Sequence, residues 1–244
     1  MKVAIHQPHY FPWLGYMDKM AKVDKFAILD EAQLTERSNM FRNKFLANDG
    51  TEKYLTLSYK KENHLNLPFK EIEISSNVDW QKKHKNFILT NYKKAKYFDE
   101  IWDVVAVVFE KQYTYLYEVD IDTIMLLRML LDVNTPLVYQ SNLFYDRTKK
   151  KNDMVLEICK CLGAKYYLSG NGARKYMEVE TFKKERIAVE YQNFMHPQYE
   201  QLNGGEFQPC MSALDLLFNN GIEKSRKIFW DNVKKGKEFE GEGR

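Results

Sequence analysis

Val3-Ala4-Ile5-His6-Gln7-Pro8-His9-Tyr10-Phe11-Pro12-Trp13-Leu14-Gly15-Tyr16 is the stretch on which the fold turns. Its apolar start, Lys2 to Ile5, is short and bounded by Pro8, as a buried strand is. Leu14 to Val23 then carries apolar side chains at Leu14, Met17, Met20 and Ala21, a helical period. Phe26-Ala27-Ile28-Leu29 reads as a second buried strand ending at Asp30. Strand, glycine-containing turn, helix and strand form a βαβ unit, which implies a parallel sheet. Ligands of open parallel sheets sit beyond the carboxyl ends of the strands. His6 and His9 follow the first strand and Asp30 and Gln33 the second, so both groups are expected to face one crevice.

Farther along, Phe45 to Leu57 reads as a hairpin turning at Asn48-Asp49-Gly50, and Phe69 to Ile74 alternates like a half-exposed strand. Trp80, His84, Phe87, Ile88 and Tyr92 share one face of a helix expected over 79–92. Two more helices, 98–112 and 116–131, complete a helical block inserted at about 78–133. Leu137 to Tyr139 is a strand candidate, and the helix over 154–162 has its stop signal at Gly163. Lys165 to Leu168 is a further strand, followed by the turn Ser169-Gly170-Asn171-Gly172 and a short helix from Ala173 to Met177. Ile187 to Tyr191 is the last strand. Ser212 to Asn219 and Glu223 to Lys235 read as helices separated by Gly221, and residues 236–244 as a frayed tail. The expected architecture is α/β: one domain over residues 1–235, with a mostly parallel, Rossmann-like (nucleotidylyltransferase-like) sheet and the helical insertion.

Composition narrows the function classes. Against 37 basic residues stand 34 acidic ones, a net charge of +3, so charge does not point to a nucleic-acid binder. The three cysteines, Cys159, Cys161 and Cys210, are an odd number without a C-x-x-C pair, as reduced thiols of the cytoplasm are. No apolar stretch approaches the roughly 20 residues that span a bilayer. A cytoplasmic protein without a membrane span is expected. Aromatic residues make up 14% of the chain, which suits either a ring-lined pocket or a heavier core.

Three groups of residues carry candidate chemistry. Packing explains the rings of the first segment but not two histidines on either side of Pro8, so His6 and His9 are candidate acid–base groups, with Gln7, Tyr10 and Trp13 as ligand contacts. Asp30, Gln33, Arg37, Asn39, Arg42 and Asn43 form an amide- and arginine-rich stretch suited to phosphate or carboxylate, or else a solvated loop. Ser169, Gly170, Asn171 and Tyr176 surround a turn of small residues that can present backbone N–H groups to an anion. Ser169 lacks the G-x-S-x-G setting of a hydrolase nucleophile, and the turn lacks a P-loop pattern. His84 is equally readable as a buried, satisfied histidine or a ligand contact. No metal is expected, because His6 and His9 sit on a proline-broken loop with no clear third ligand.

Together these residues resemble the WbqC-like family of bacterial proteins. The likeness lies in His6-Gln7-Pro8-x-Tyr10-Phe11-Pro12-Trp13-x-Gly15-Tyr16, in Asp24-Lys25-Phe26 to Asp30 with Gln33, and in Arg42-Asn43. It continues through Trp80, His84 and Tyr92, Tyr167-Leu168-Ser169-Gly170 with Tyr176, and Pro209 with Ser212 to Gly221. It spans residue 1 to about 235, and one departure is Ala32, where a valine-like residue is expected. The resemblance implies a place among genes for O-antigen of lipopolysaccharide and other surface glycans, and the tailoring of sugars. A weaker similarity links the opening to nucleotidylyltransferase-like Rossmann domains. Trp13-Leu14-Gly15-Tyr16 replaces both histidines of their H-x-G-H tetrad, so that likeness carries the fold and not ATP adenylylation.

The expected activity is a transferase that adds a small acyl or aminoacyl group to an amino sugar, most readily a nucleotide-linked one. The alternatives are an ATP-dependent amino acid–sugar ligase and a non-catalytic module that binds a glycan or a partner enzyme. The donor is unidentified. Nucleic acid is not an expected partner, an aminoacyl-tRNA donor aside.

Overall fold

The computed structural model describes residues 1–36, 38–202 and 205–241, with side chains to residue 236. In chain order it runs β1 (Lys2–His6), α1 (Leu14–Ala21), β2 (Lys25–Ile28) and the hairpin β3 (Arg42–Leu46) and β4 (Glu52–Thr56). The helical block follows as α2 (Trp80–Tyr92), α3 (Phe98–Val105) and α4 (Leu116–Leu131). Then come β5 (Leu137–Tyr139), α5 (Lys151–Cys161), β6 (Tyr166–Ser169), α6 (Val179–Lys184), β7 (Ala188–Tyr191) and α7 (Ala213–Gly241).

Five strands form a parallel sheet in the order β5-β2-β1-β6-β7, while β3 and β4 pair antiparallel on their own. The chain therefore moves outward from β1 in one direction through β2 and β5. It then returns to build β6 and β7 on the other side. The resulting reversal between β1 and β6 is the topological switch of a Rossmann-like sheet. The middle strands are apolar throughout because both faces are covered. Val3 and Ile5 pack with Ala27 and Tyr167 under α5 and α6, through Leu156, Ile158, Cys159 and Phe182. Ala4, Phe26, Ile28 and Leu168 point the other way, into a larger cluster fed by α1, the helical block and α7. Among the described residues no helix is long and apolar enough to cross a membrane.

Several expectations change. The stretch 69–74 is not a strand: Phe69–Glu71 is a 3-10 turn, and only single bridges tie Glu73 to Tyr115 and Ile74 to Tyr59. Phe69 and Ile72 are the buried pair, three apart, so burial follows a turn and not a pleat. The second helix of the block ends at Val105 and tightens into a 3-10 turn over Ala106–Phe109. The short helix after β6 is a 3-10 turn, Asn171–Lys175, and α6 was not legible in the sequence. At Gly221 the last helix kinks with φ 71, and an added Cβ there would lie 2.6 Å from the Tyr97 ring. Beyond the kink the helix continues through Gly241, where a frayed tail was expected from residue 236; residues 242–244 lie outside the described residues.

Candidate functional site

The loop after β1 is fastened from all sides. Tyr10 N donates to Asn39 O at 2.9 Å, and Phe11 N to Thr123 Oγ1 at 3.0 Å. The buried Asn43 amide donates to Tyr10 O at 3.1 Å and Phe11 O at 2.7 Å. Phe11 is held at φ 38, a left-handed conformation that costs a bulky residue energy. Such a backbone persists only where its surroundings over-determine it, which is common at binding sites.

A cavity of about 320 Å³ opens between the carboxyl ends of β1 and β6. His6, Gln7, Lys19, Ser169, Gly170 and Tyr176 are among its lining residues. Its place is the switch point of the sheet, where open α/β folds bind ligands. A larger open depression of about 970 Å³, lined by Lys165, Arg186 and Ile187 among others, lies at the opposite, amino ends of β6 and β7.

The titratable groups around the smaller cavity are set by burial. His6 is held well below the ordinary histidine value by burial, with Lys19 and His9 adding repulsion. Burial and Lys19 push His9 down to about 3. The His6 and His9 rings meet edge-on at 4.8 Å, and Tyr16 packs 5.0 Å and 4.7 Å from them. Both imidazoles are thus neutral at physiological pH. Lys19 is 3% exposed, its ammonium donates to Ile5 O at 3.1 Å, and burial pushes it down to about 7. Behind the rings, His9 Nδ1, the Tyr16 hydroxyl and both oxygens of the fully buried Asp120 have no hydrogen-bond partner among the described residues. Burial raises Asp120 well above the carboxylate range, which keeps it a neutral acid.

The expected site residues are not brought together as one group. Gln7, Ser169, Gly170 and Tyr176 join His6 at the cavity, with Tyr176 67% exposed on its rim. Asn171 follows on the same turn but is exposed, its amide oxygen accepting from Arg174. Tyr10 has no face left for a ligand: it is fully buried and its hydroxyl meets His84 Nδ1 at 2.8 Å. His84 is likewise a core residue, pushed down to about 4 by burial. The Trp13 ring tucks under Gly15 and meets Phe194 edge-on at 5.3 Å.

The second cluster does not share the crevice of His6. Asp30 is buried at the end of β2, where its carboxylate accepts from Ser141 N and Ser141 Oγ. Gln33 is exposed and donates to Leu65 O. Arg42 lays its guanidinium 4.4 Å over the Tyr54 ring, and Asn39 and Asn43 serve the loop backbone. Arg37 lies outside the described residues. Neither Asp30 nor Gln33 lines the cavity.

Lys19 is the residue that sequence reasoning missed. Its neighbours Asp18 and Lys22 are also buried and pair at 3.1 Å, and Gln192 donates to Asp18 Oδ2 at 2.7 Å. The charged side of α1 is therefore covered by the segment after β7, which no local pattern announces. Among the described residues no three His, Cys, Asp or Glu side chains gather as a metal site.

The chain is 33% identical over 224 residues to the uncharacterised protein Rv1507c of Mycobacterium tuberculosis, across 91% of this chain and 95% of that protein. No solved structure matches it significantly. Residues 7–227, from the loop after β1 into α7 and so including most of the cavity lining, match the WbqC-like protein family, and the chain belongs to that family.

Proposed function

We propose that the protein is a transferase that adds a small acyl or aminoacyl group to the amine of a nucleotide-linked amino sugar during surface-polysaccharide (O-antigen) synthesis. The observation that carries this reading is the cavity of about 320 Å³ at the strand switch, with a neutral imidazole, His6, in its wall. Ligand pockets begin at roughly 300 Å³, so the cavity has room for a sugar-sized group. A sugar amine attacks only as the free base. His6 takes its proton as the amine nitrogen bonds to the acyl carbon, then returns it to the departing donor group. Because burial makes His6 a weak base, it passes the proton on readily and does not retain it. His9, packed behind it, is a positioning residue. Ser169, Gly170 and Asn171 hold the developing oxyanion or a phosphate, and Tyr176 takes over the stacking role that buried Tyr10 lacks.

The test is product formation. The purified protein is incubated with UDP- and dTDP-linked amino sugars and acyl-CoA donors, and the sugar nucleotide is weighed by mass spectrometry. A mass gain of one acyl group, lost in a folded His6→Ala protein, is the expected result. Undiminished turnover in the His6→Ala, His9→Ala double variant removes the general base. A strict requirement for ATP, with release of AMP or ADP, makes the protein a ligase instead. A requirement for charged tRNA makes the donor an aminoacyl-tRNA, and ligand binding without turnover leaves a non-catalytic module.

A further inference from the structure

Lys19 stands out once the cavity is drawn. Its ammonium carries three donors, of which one reaches Ile5 O. No carboxylate of the described residues pairs with it. The charged groups nearest along its own helix, Asp18 and Lys22, are already joined to each other. From β1 and its loop it faces His6 and His9, both neutral. From β6 and the following turn come Tyr167, Ser169 and Tyr176, none of which brings a carboxylate. A buried cation without a counter-ion is costly, and the cost is recovered when an anion enters beside it.

We infer that Lys19 is the anion-binding group of the cavity: it takes a phosphate of the ligand, with His6, Gln7 and Ser169 as its neutral polar surroundings. The inference shares with the transferase reading only the assignment of the cavity as the ligand site. It makes the bound group an oxyanion whether or not acyl transfer occurs. Burial puts Lys19 at about 7, so part of its charge is missing at physiological pH. A bound phosphate stabilises the ammonium, so binding takes up a proton.

Sulfate is the probe of choice, because it keeps two negative charges at all relevant pH values. Calorimetric titration of the intact protein with millimolar sulfate, in buffers of different ionisation enthalpy, reads affinity and proton uptake together. Affinity is expected to fall roughly tenfold per pH unit above about 7, with protons taken up on binding. Lys19→Gln is expected to lose both the affinity and the slope. Equal affinity and slope in that variant overturn the inference, as does the absence of sulfate binding. A titration of the lysine side-chain carbons of the unaltered protein by NMR needs no variant. One lysine titrating near neutral pH and moving up with sulfate supports the assignment, and one that stays put overturns it. UDP-N-acetylglucosamine and glycine, run as separate arms, then tell a sugar phosphate from a donor carboxylate. Sulfate binding with no turnover on any donor keeps Lys19 and removes the transferase.

Discussion

The two flanks of β1 treat the same kinds of residue in opposite ways. Toward β2, the carboxylates and the buried amide near the strand end are engaged by protein partners. Asp30 holds Ser141, Glu31 pairs with Lys70 and Arg147, and Asn43 ties down the Tyr10 and Phe11 carbonyls. Toward β6, His6 and Lys19 meet at a cavity and Lys19 has no acidic partner among the described residues. The imidazoles of the amino-terminal half differ likewise. The fully buried His84 meets the Tyr10 hydroxyl through Nδ1, whereas His6, half-buried, packs against His9 and lines the cavity. A polar group that is closed by protein stabilises the loop, and one that is left open can serve a ligand.

The largest expected effect separates the flanks outright. His6→Ala should lower turnover by roughly 100-fold or more, the scale of a lost acid–base group, with little change in melting temperature. Asp30→Ala should do the reverse. It leaves the Ser141 N–H and hydroxyl without their acceptor and costs about 1–3 kcal/mol in urea unfolding, with kcat unchanged. A large activity loss in the folded Asp30→Ala protein would join the two flanks into one site and break the comparison.

Asn43→Ala should be the most damaging change on the closed flank. It frees two buried carbonyls and the Lys44 N–H, at a cost of about 2–4 kcal/mol by denaturant titration. Stability should also respond to acid. His84, at about 4, and His9, at about 3, are neutral in the folded protein where an unfolded histidine, near 6.5, is already protonated. The unfolded chain then binds more protons, so stability is full above 6.5 and declines as pH falls through the window down to about 4. The slope is up to about 1.4 kcal/mol per pH unit for each group. Ligand bound at the cavity should alter the His9 part and leave the His84 part, which equilibrium unfolding with and without ligand at several pH values will show. The smallest effect is expected at Gln33, an exposed side chain on the closed flank: Gln33→Ala should shift stability by no more than about 0.5 kcal/mol and leave turnover alone.

Much of the scaffold was legible in local pattern. The helix over Leu116–Leu131 and the strand over Leu137–Tyr139 appear where periodicity and length put them, because continuous apolar runs and one-sided stripes record burial directly. Alternation at 69–74 misled, since Phe69 and Ile72 reach the core from a single turn. The placement of the first segment was legible in part. Histidines on either side of Pro8 pointed to the strand end, but nothing in Tyr10 itself distinguishes a ring that stacks on a ligand from one that bonds to His84, 74 residues away.

The sequence by itself determined the strands of the parallel sheet, the βαβ opening and the stiff, proline-bounded loop that carries His9. These depend on neighbours within a few turns of chain, where backbone preference and apolar period suffice. Only the tertiary structure decided that β1 has β6 beside it at the strand switch, that Lys19 comes to line the cavity there, and that its neighbours Asp18 and Lys22 are covered by the segment after β7. Pairing of β1 with a strand some 160 residues later, and burial of a helix's charged side, are settled by which distant surfaces exclude water together. Such contacts leave no mark on local periodicity.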